Sequence, residues 1–147
     1  MKNAFSLVEL MIVVALLGIL AAAAVPSLSG HATKAKSSAA RENLFKLRQA
    51  IEVYAVQHND VAPGYRRDNA ASTPNENYFR SQLTRNSAYL NEIPKNPFNN
   101  SDRIKILVSG EIALQSTDYG WVYMPGTKEV RLNTTGTDGD GVTYFEY

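Results

Sequence analysis

The chain has 147 residues and one long apolar stretch, which leaves room outside that stretch for a single small domain and hardly two. Cysteine is absent, which excludes disulfide staples, thiol chemistry and Cys-based metal sites. The formal net charge of +1 excludes little as a total but is unevenly placed: residues 31–58 carry five basic side chains (Lys34, Lys36, Arg41, Lys46, Arg48) against Glu42 and Glu52, and residues 59–147 carry nine basic against eleven acidic. A stalk and head of opposite sign can attract one another between neighbouring subunits, with ordinary solvated faces as the plainer alternative.

Residues 5–25 read FSLVELMIVVALLGILAAAAV, almost wholly apolar but for Glu9. At 1.5 Å per residue this stretch spans about 31 Å, close to a bilayer core. Lys2 before it, with Lys34 and Lys36 well beyond it, sets a weak orientation with the amino end cytoplasmic. An unpaired carboxylate in lipid costs about 2.5 kcal/mol or more, so Glu9 is an odd choice for a plain anchor and implies a partner that arrives on assembly. Two readings compete. The basic leader and the small residues Ala21 to Ala24 also fit a cleaved secretory signal, and a simple single-pass membrane protein fits the length.

The helical pattern continues past the apolar stretch. Leu44, Leu47, Ile51, Tyr54 and His58 recur at intervals of three and four, one stripe of a helix. Ala32, Ala35 and Ala39 continue a small-residue face upstream, and Phe45, Val53 and Val56 are expected to widen the apolar side. The pattern ends at His58-Asn59-Asp60, and Pro63-Gly64 confirms the stop. One helix of about 50 residues follows, softened near Pro26, where the ring removes a hydrogen bond and crowds the carbonyl of Ala22, with Gly18 and Gly30 on either side. His58 is read as a packed or capping residue.

Residues 60–77 are loop-like, 78–90 form a short helix with Phe79 and Leu83 inward, and Pro94 and Pro97 fix a turn anchored by Phe98. Strands are expected at 103–108, 119–123 and 129–132, with short pieces at 112–114 and 142–145 and a turn at Pro125-Gly126-Thr127. Trp121 belongs to the core. The amphipathic half of the long helix covers one face of this small antiparallel sheet.

Thr137-Asp138-Gly139-Asp140-Gly141 is the one metal-like cluster: two carboxylates two residues apart, with glycines freeing carbonyls, suit a hard cation such as calcium. A glycine-rich turn with solvated acids is the alternative, since an EF-hand's length and terminal glutamate are missing. There is no Walker loop, GxSxG or HExxH, so an enzyme is not expected, nor is nucleic-acid binding.

The opening AFSLVELMIVVALLGILAAAAVPSL closely resembles the type IV pilin superfamily, which includes type II secretion pseudopilins. The resemblance implies cleavage between Ala4 and Phe5 by a prepilin peptidase, methylation of Phe5 as the new amino terminus, pairing of Glu9 with a neighbouring subunit's terminus, and a helix that melts around Pro26. The family usually has glycine where Ala4 stands. Tyr89-Leu90 and Pro94-Lys95-Asn96-Pro97-Phe98-Asn99 resemble a stretch of major pseudopilins, and Asp138-Gly139-Asp140 resembles their calcium loop.

The resemblance thus implies a pilin-like α+β fold: a long amino-terminal helix, with a transmembrane half and an amphipathic half, packed on a small antiparallel sheet. The organisation is a leader at 1–4, a transmembrane and filament-core segment at 5–30, an amphipathic half at 31–59 and a head at 60–147. The expected function is a structural subunit of a type II secretion pseudopilus. A type IV pilus subunit serving adhesion, motility or DNA uptake is the alternative within the superfamily, and a secreted or membrane-anchored binding module the alternative outside it. The site residues are Ala4 and Phe5 for processing, Phe5 and Glu9 for assembly, Gly18 and Pro26 for the kink, and Asp138 and Asp140 for calcium. No cofactor is required and calcium is optional. Expected partners are further copies in a helical filament, minor pseudopilins or pilins, an inner-membrane assembly platform, the prepilin peptidase and, before assembly, the lipid bilayer. The expected location is the bacterial inner membrane, single-pass, with a periplasmic head and a filament in the periplasm or at the cell surface.

Overall fold

The computed structural model describes residues 6–108 and 118–147, with 21–29 described in backbone only. Helix α1 runs Leu7–Gln57 and α2 Glu76–Thr84, and strands β1 (Ile104–Ile106), β2 (Trp121–Met124) and β3 (Glu129–Leu132) form the sheet. Single 3₁₀ turns occupy Arg66–Asp68, Arg85–Ser87 and Tyr144–Glu146. The chain divides into two compact units, Met1–Ala35 and Lys36–Tyr147. The first contains the amino-terminal part of α1, and the second contains the rest of α1 with everything that follows it.

In the second unit, α1 buries Ser37, Ala40, Leu44, Leu47, Ile51 and Tyr54, a spacing of three and four that keeps one face inward. Fully burying each of the large apolar side chains contributes about 1.5–3 kcal/mol, so this stripe holds the unit together. The expected stripe from Leu44 to Tyr54 is therefore observed, and its small-residue continuation runs through Ala40 and Ser37, leaving Ala32 and Ala35 exposed. Helix α2 starts at Asn75, whose side chain accepts the Tyr78 N–H at 3.0 Å, and it buries Phe79 and Leu83. Phe79 packs on Tyr123 with ring centroids 4.6 Å apart.

The sheet order is β1-β2-β3. The β2–β3 pair is antiparallel, with Trp121 opposite Leu132 and Tyr123 opposite Val130, joined through the expected turn at Pro125 to Thr127. Strand β1 runs parallel to β2, with Ile104 level with Trp121, so the sheet is mixed where an antiparallel one was expected. Ile104, Trp121, Tyr123, Val130 and Leu132 are all buried in the one core cluster with the α1 stripe. Trp121 is 0% exposed and its indole N–H donates to the Pro94 carbonyl at 2.8 Å, which confirms it as core. The buried Asn96 organises the turn beside it: its amide donates to Gly120 O and Thr134 Oγ1, and its side-chain oxygen accepts the Phe98 N–H.

Several expectations are corrected. No helix among the described residues is long and apolar enough to cross a membrane, which overturns the transmembrane half of the helix and the placement as a single-pass inner-membrane protein. Phe45, Val53 and Val56 lie 66%, 41% and 80% exposed, because they fall on the helix face opposite the Leu44–Leu47–Ile51 stripe. Residues 142–145 form no named strand. Thr143 makes an isolated bridge to Thr137, and the chain then tightens into the 3₁₀ turn at Tyr144–Glu146. The piece expected at 112–114 lies outside the described residues.

Candidate functional site

The start of α1 is built by a reciprocal cap. Ser6 Oγ accepts the Val8 N–H at 3.3 Å, and the Ser6 N–H donates back to Glu9 Oε2 at 2.8 Å. This Ser-x-x-Glu capping box satisfies amides that a helix start otherwise leaves without partners, and it sets the acid at the positive end of the helix dipole. In the single chain, Glu9 thus has a local partner before any neighbour arrives. The signature was visible in Ser6-Leu7-Val8-Glu9, and reading Glu9 only as an interrupted apolar run missed it.

Beyond the cap, the helix is apolar all round. Leu7, Val8, Leu10, Met11, Ile12, Val13, Val14, Leu16, Leu17, Ile19 and Leu20 are each between 44% and 74% exposed. A helix apolar on every side is ordinarily a buried one, and exposed apolar surface of this extent marks an interaction site. Gly18 sits within it, with nothing within 4 Å of where a Cβ would stand. Helix α1 is one element through residue 26. Ala4 and Phe5, and the side chain of Pro26, lie outside the described residues.

At the other end of the sequence, Asp138 closes a compact turn. Its Oδ1 accepts the N–H groups of Asp140 and Val142, both at 2.9 Å. Its Oδ2 accepts from Arg41 Nη2 and from the Tyr147 hydroxyl, both at 2.7 Å. The carboxyl is held below its ordinary value of 3.8, first by the Tyr147 hydroxyl and then, against the desolvation of burial, by the Val142 and Asp140 amides and Arg41. The Arg41 guanidinium also lies over the Tyr147 ring, 4.3 Å from its centroid, and Arg48 donates to the carbonyls of Val130 and Tyr147. The turn is thereby tied to α1 by an internal cation.

As a cation site this donor set does not fit. Both Asp138 oxygens are engaged, Asp140 is exposed and enters the turn through its backbone N–H, and among the described residues no group of three or more His, Cys, Asp or Glu is placed to hold a metal. The structure does bring Asp138 and Asp140 into one turn, as their spacing implied. Sequence reasoning missed Arg41 as the partner. It had counted stalk cations as candidates for attraction between subunits, and here the Arg41–Asp138 pair forms within one chain. His58 is a packed residue, as expected: it stacks on Tyr54 with centroids 3.9 Å apart, and its Nδ1 lies 2.8 Å from the Tyr54 carbonyl.

Residues 1–25 match the family described as prokaryotic N-terminal methylation motif. The chain is 31% identical over 99 residues to the type II secretion system core protein G of Vibrio cholerae serotype O1, covering 67% of each protein. To the protein of the same description from Aeromonas hydrophila it is 27% identical over 99 residues, covering 67% of this chain and 69% of that one. To that from Pectobacterium carotovorum subsp. carotovorum it is 34% identical over 58 residues, 40% of this chain and 37% of that one. No solved structure matches the chain.

Proposed function

The chain belongs to the type II secretion system core protein G family, the pseudopilins, and on that premise we propose that it is a structural filament subunit that polymerises through its amino-terminal segment. On this reading the chain is a structural subunit and not a catalyst. The observation that carries the reading is the apolar surface of α1 between Leu7 and Leu20, exposed on every side in the single chain. Burial of a large apolar side chain contributes about 1.5–3 kcal/mol, whereas association costs about 4–15 kcal/mol. A single neighbour covers one face of such a helix, and several neighbours cover it all round. A bundle of helices from successive copies answers that geometry better than a dimer does.

Processing between Ala4 and Phe5 gives the proposal its charge. It leaves a methylated Phe5 ammonium four residues before Glu9. In the assembled bundle Glu9 exchanges its cap on Ser6 for the ammonium of an adjacent copy. Desolvation offsets much of that attraction, so the pair acts chiefly on register: a subunit set one step wrong leaves two charges unpaired. Minor pseudopilins and an assembly platform are the further partners of this reading.

The capping box makes the test sharp. Glu9→Gln keeps a side-chain oxygen for the Ser6 amide but removes the charge. The expected result is a subunit of unchanged helix content whose filament yield falls by about tenfold or more, as for a mispaired buried charge. Wild-type filament yield from Glu9→Gln would falsify the charge-pairing step. Mass spectrometry of the mature terminus checks the premise: a methylated Phe5 is expected, and a start near Val25 or Pro26 means that the apolar segment is discarded.

A further inference from the structure

The chain has eight arginines, and five of them are engaged. Arg41 pairs with Asp138, Arg48 donates to backbone carbonyls, Arg80 pairs with Asp102 and Glu76, Arg103 lies over the Tyr119 ring, and Arg131 pairs with Glu129. The other three, Arg66, Arg67 and Arg85, make no ion pair or side-chain hydrogen bond to a described residue, and all three line the same cavity of about 570 Å³. That volume is in the range of small-molecule sites.

The cavity is formed within the second unit by the end of α1, the 3₁₀ turn at Arg66–Asp68 and the end of α2 with the 3₁₀ turn after it. Its wall is rigid. The Tyr54 ring stacks on His58 and meets Tyr89 edge-on at 5.4 Å, and the Tyr89 hydroxyl donates to Gln57 at 2.6 Å. One carboxylate, Asp68, lines the cavity together with the three arginines. Its Oδ1 already accepts from the Tyr54 hydroxyl and from Gln82 Nε2, and His58 Nε2 lies 3.9 Å from its Oδ2. Counting the three arginines against Asp68, the lining carries two positive charges in excess. Arg67 and Asp68 hold left-handed backbone, φ 53° and 56°, as does Asn86 across the cavity at 55°. Such a conformation is costly for a bulky side chain like Arg67, and it persists where the surroundings hold it.

Three exposed arginines lining one cavity beside the Tyr54, His58 and Tyr89 rings, without an ion pair to any described residue, make a receptor for planar or tetrahedral oxyanions, which the arginine fork binds through two parallel N–H donors. We infer that this cavity binds a small ligand carrying two or more oxyanion groups, carboxylate or phosphate. Every lining residue belongs to the second unit.

The test is titration of the full chain with citrate and, separately, with inorganic pyrophosphate at about 0.15 M salt, where exposed charges are screened beyond about 8 Å. One-to-one binding of at least one probe is expected with a Kd of about 1 mM or tighter. The triple variant Arg66→Gln, Arg67→Gln, Arg85→Gln is expected to bind at least about tenfold more weakly. The control Lys34→Gln, Lys36→Gln, Lys95→Gln removes the same charge from exposed positions elsewhere and is expected to bind like wild type. Arg85→Lys keeps the charge but loses the fork, and it tests the site if the triple variant does not fold; weakened binding with an unchanged melting temperature is expected. The stronger probe identifies the preferred oxyanion. No saturable binding of either probe, equal weakening in the lysine control, or wild-type binding by Arg85→Lys together with the triple variant, overturns the inference.

Discussion

Gly120 shows how tightly single residues are specified in the head. A Cβ built there would stand 2.0 Å from the Ser101 carbonyl oxygen and 3.2 Å from Asn96 Cβ, and the first of these is backbone that cannot rotate away. The Gly120 N–H donates to Arg103 O, and its own carbonyl accepts from Asn96 Nδ2 and the Asn133 N–H, so the two backbone segments are held at contact distance from both sides. Gly120→Ala is expected to destabilise the protein by about 2–4 kcal/mol, measured as a lower urea midpoint at unchanged slope. Asp138 carries the pH dependence of the same region. Its folded pKa is depressed, so the stability it contributes is present above its ordinary value of 3.8 and is lost as pH falls through the lower folded value. Wild type is therefore expected to melt higher than Asp138→Asn near pH 7, with the difference closing in strong acid. Because Arg41 and Tyr147 already fill the Oδ2 side, added calcium is expected to leave the melting temperature of both proteins unchanged; a rise in wild type alone would return the turn to the list of cation sites.

At the scale of elements, α1 has two faces with opposite consequences. Leu47 is 0% exposed within the core cluster, and Leu47→Ala removes buried volume at an expected cost of about 2–5 kcal/mol. Phe45 is 66% exposed on the other face, and Phe45→Ala is expected to change stability by less than about 0.5 kcal/mol. Chemical denaturation of the two variants side by side decides whether the register of the helix is as described. That register was legible from the spacing of Leu44, Leu47, Ile51 and Tyr54, which admits a single inward direction. Phe45, Val53 and Val56 misled because hydrophobicity reports what a side chain tolerates and not which way the helix turns it. The strands at β2 and β3 were legible from β-branched and aromatic runs around a Pro-Gly turn. The direction of β1 was not, because a three-residue apolar-polar-apolar run such as Ile104-Lys105-Ile106 pairs equally well either way. The Asp138 turn was legible as a turn. Its partner was not, since Arg41 lies 97 residues away and nothing in either neighbourhood selects the other.

The chain joins a unit with its own core to a segment whose described apolar side chains, Leu7 to Leu20, are exposed. The unit Lys36–Tyr147 contains every residue of the core cluster, whereas the exposed large apolar side chains concentrate between Leu7 and Leu20. Stability and association should therefore separate on cutting the chain. A fragment of residues 30–147 retains the helix face that covers the sheet, with about two further turns before Ser37. It is expected to unfold cooperatively within about 4 °C of the full chain, the shift that about 1 kcal/mol produces in a domain of this size. It is also expected to sediment as a monomer at concentrations where the full chain self-associates, because burial of the apolar helix is the main driving force for association. If the fragment associates as strongly as the full chain, the surface responsible lies on the head, for which the exposed Phe45, Val53 and Val56 are the first residues to change. If it fails to fold, the amino-terminal segment contributes to the core of the second unit, and the division between a folding unit and an assembling one does not hold.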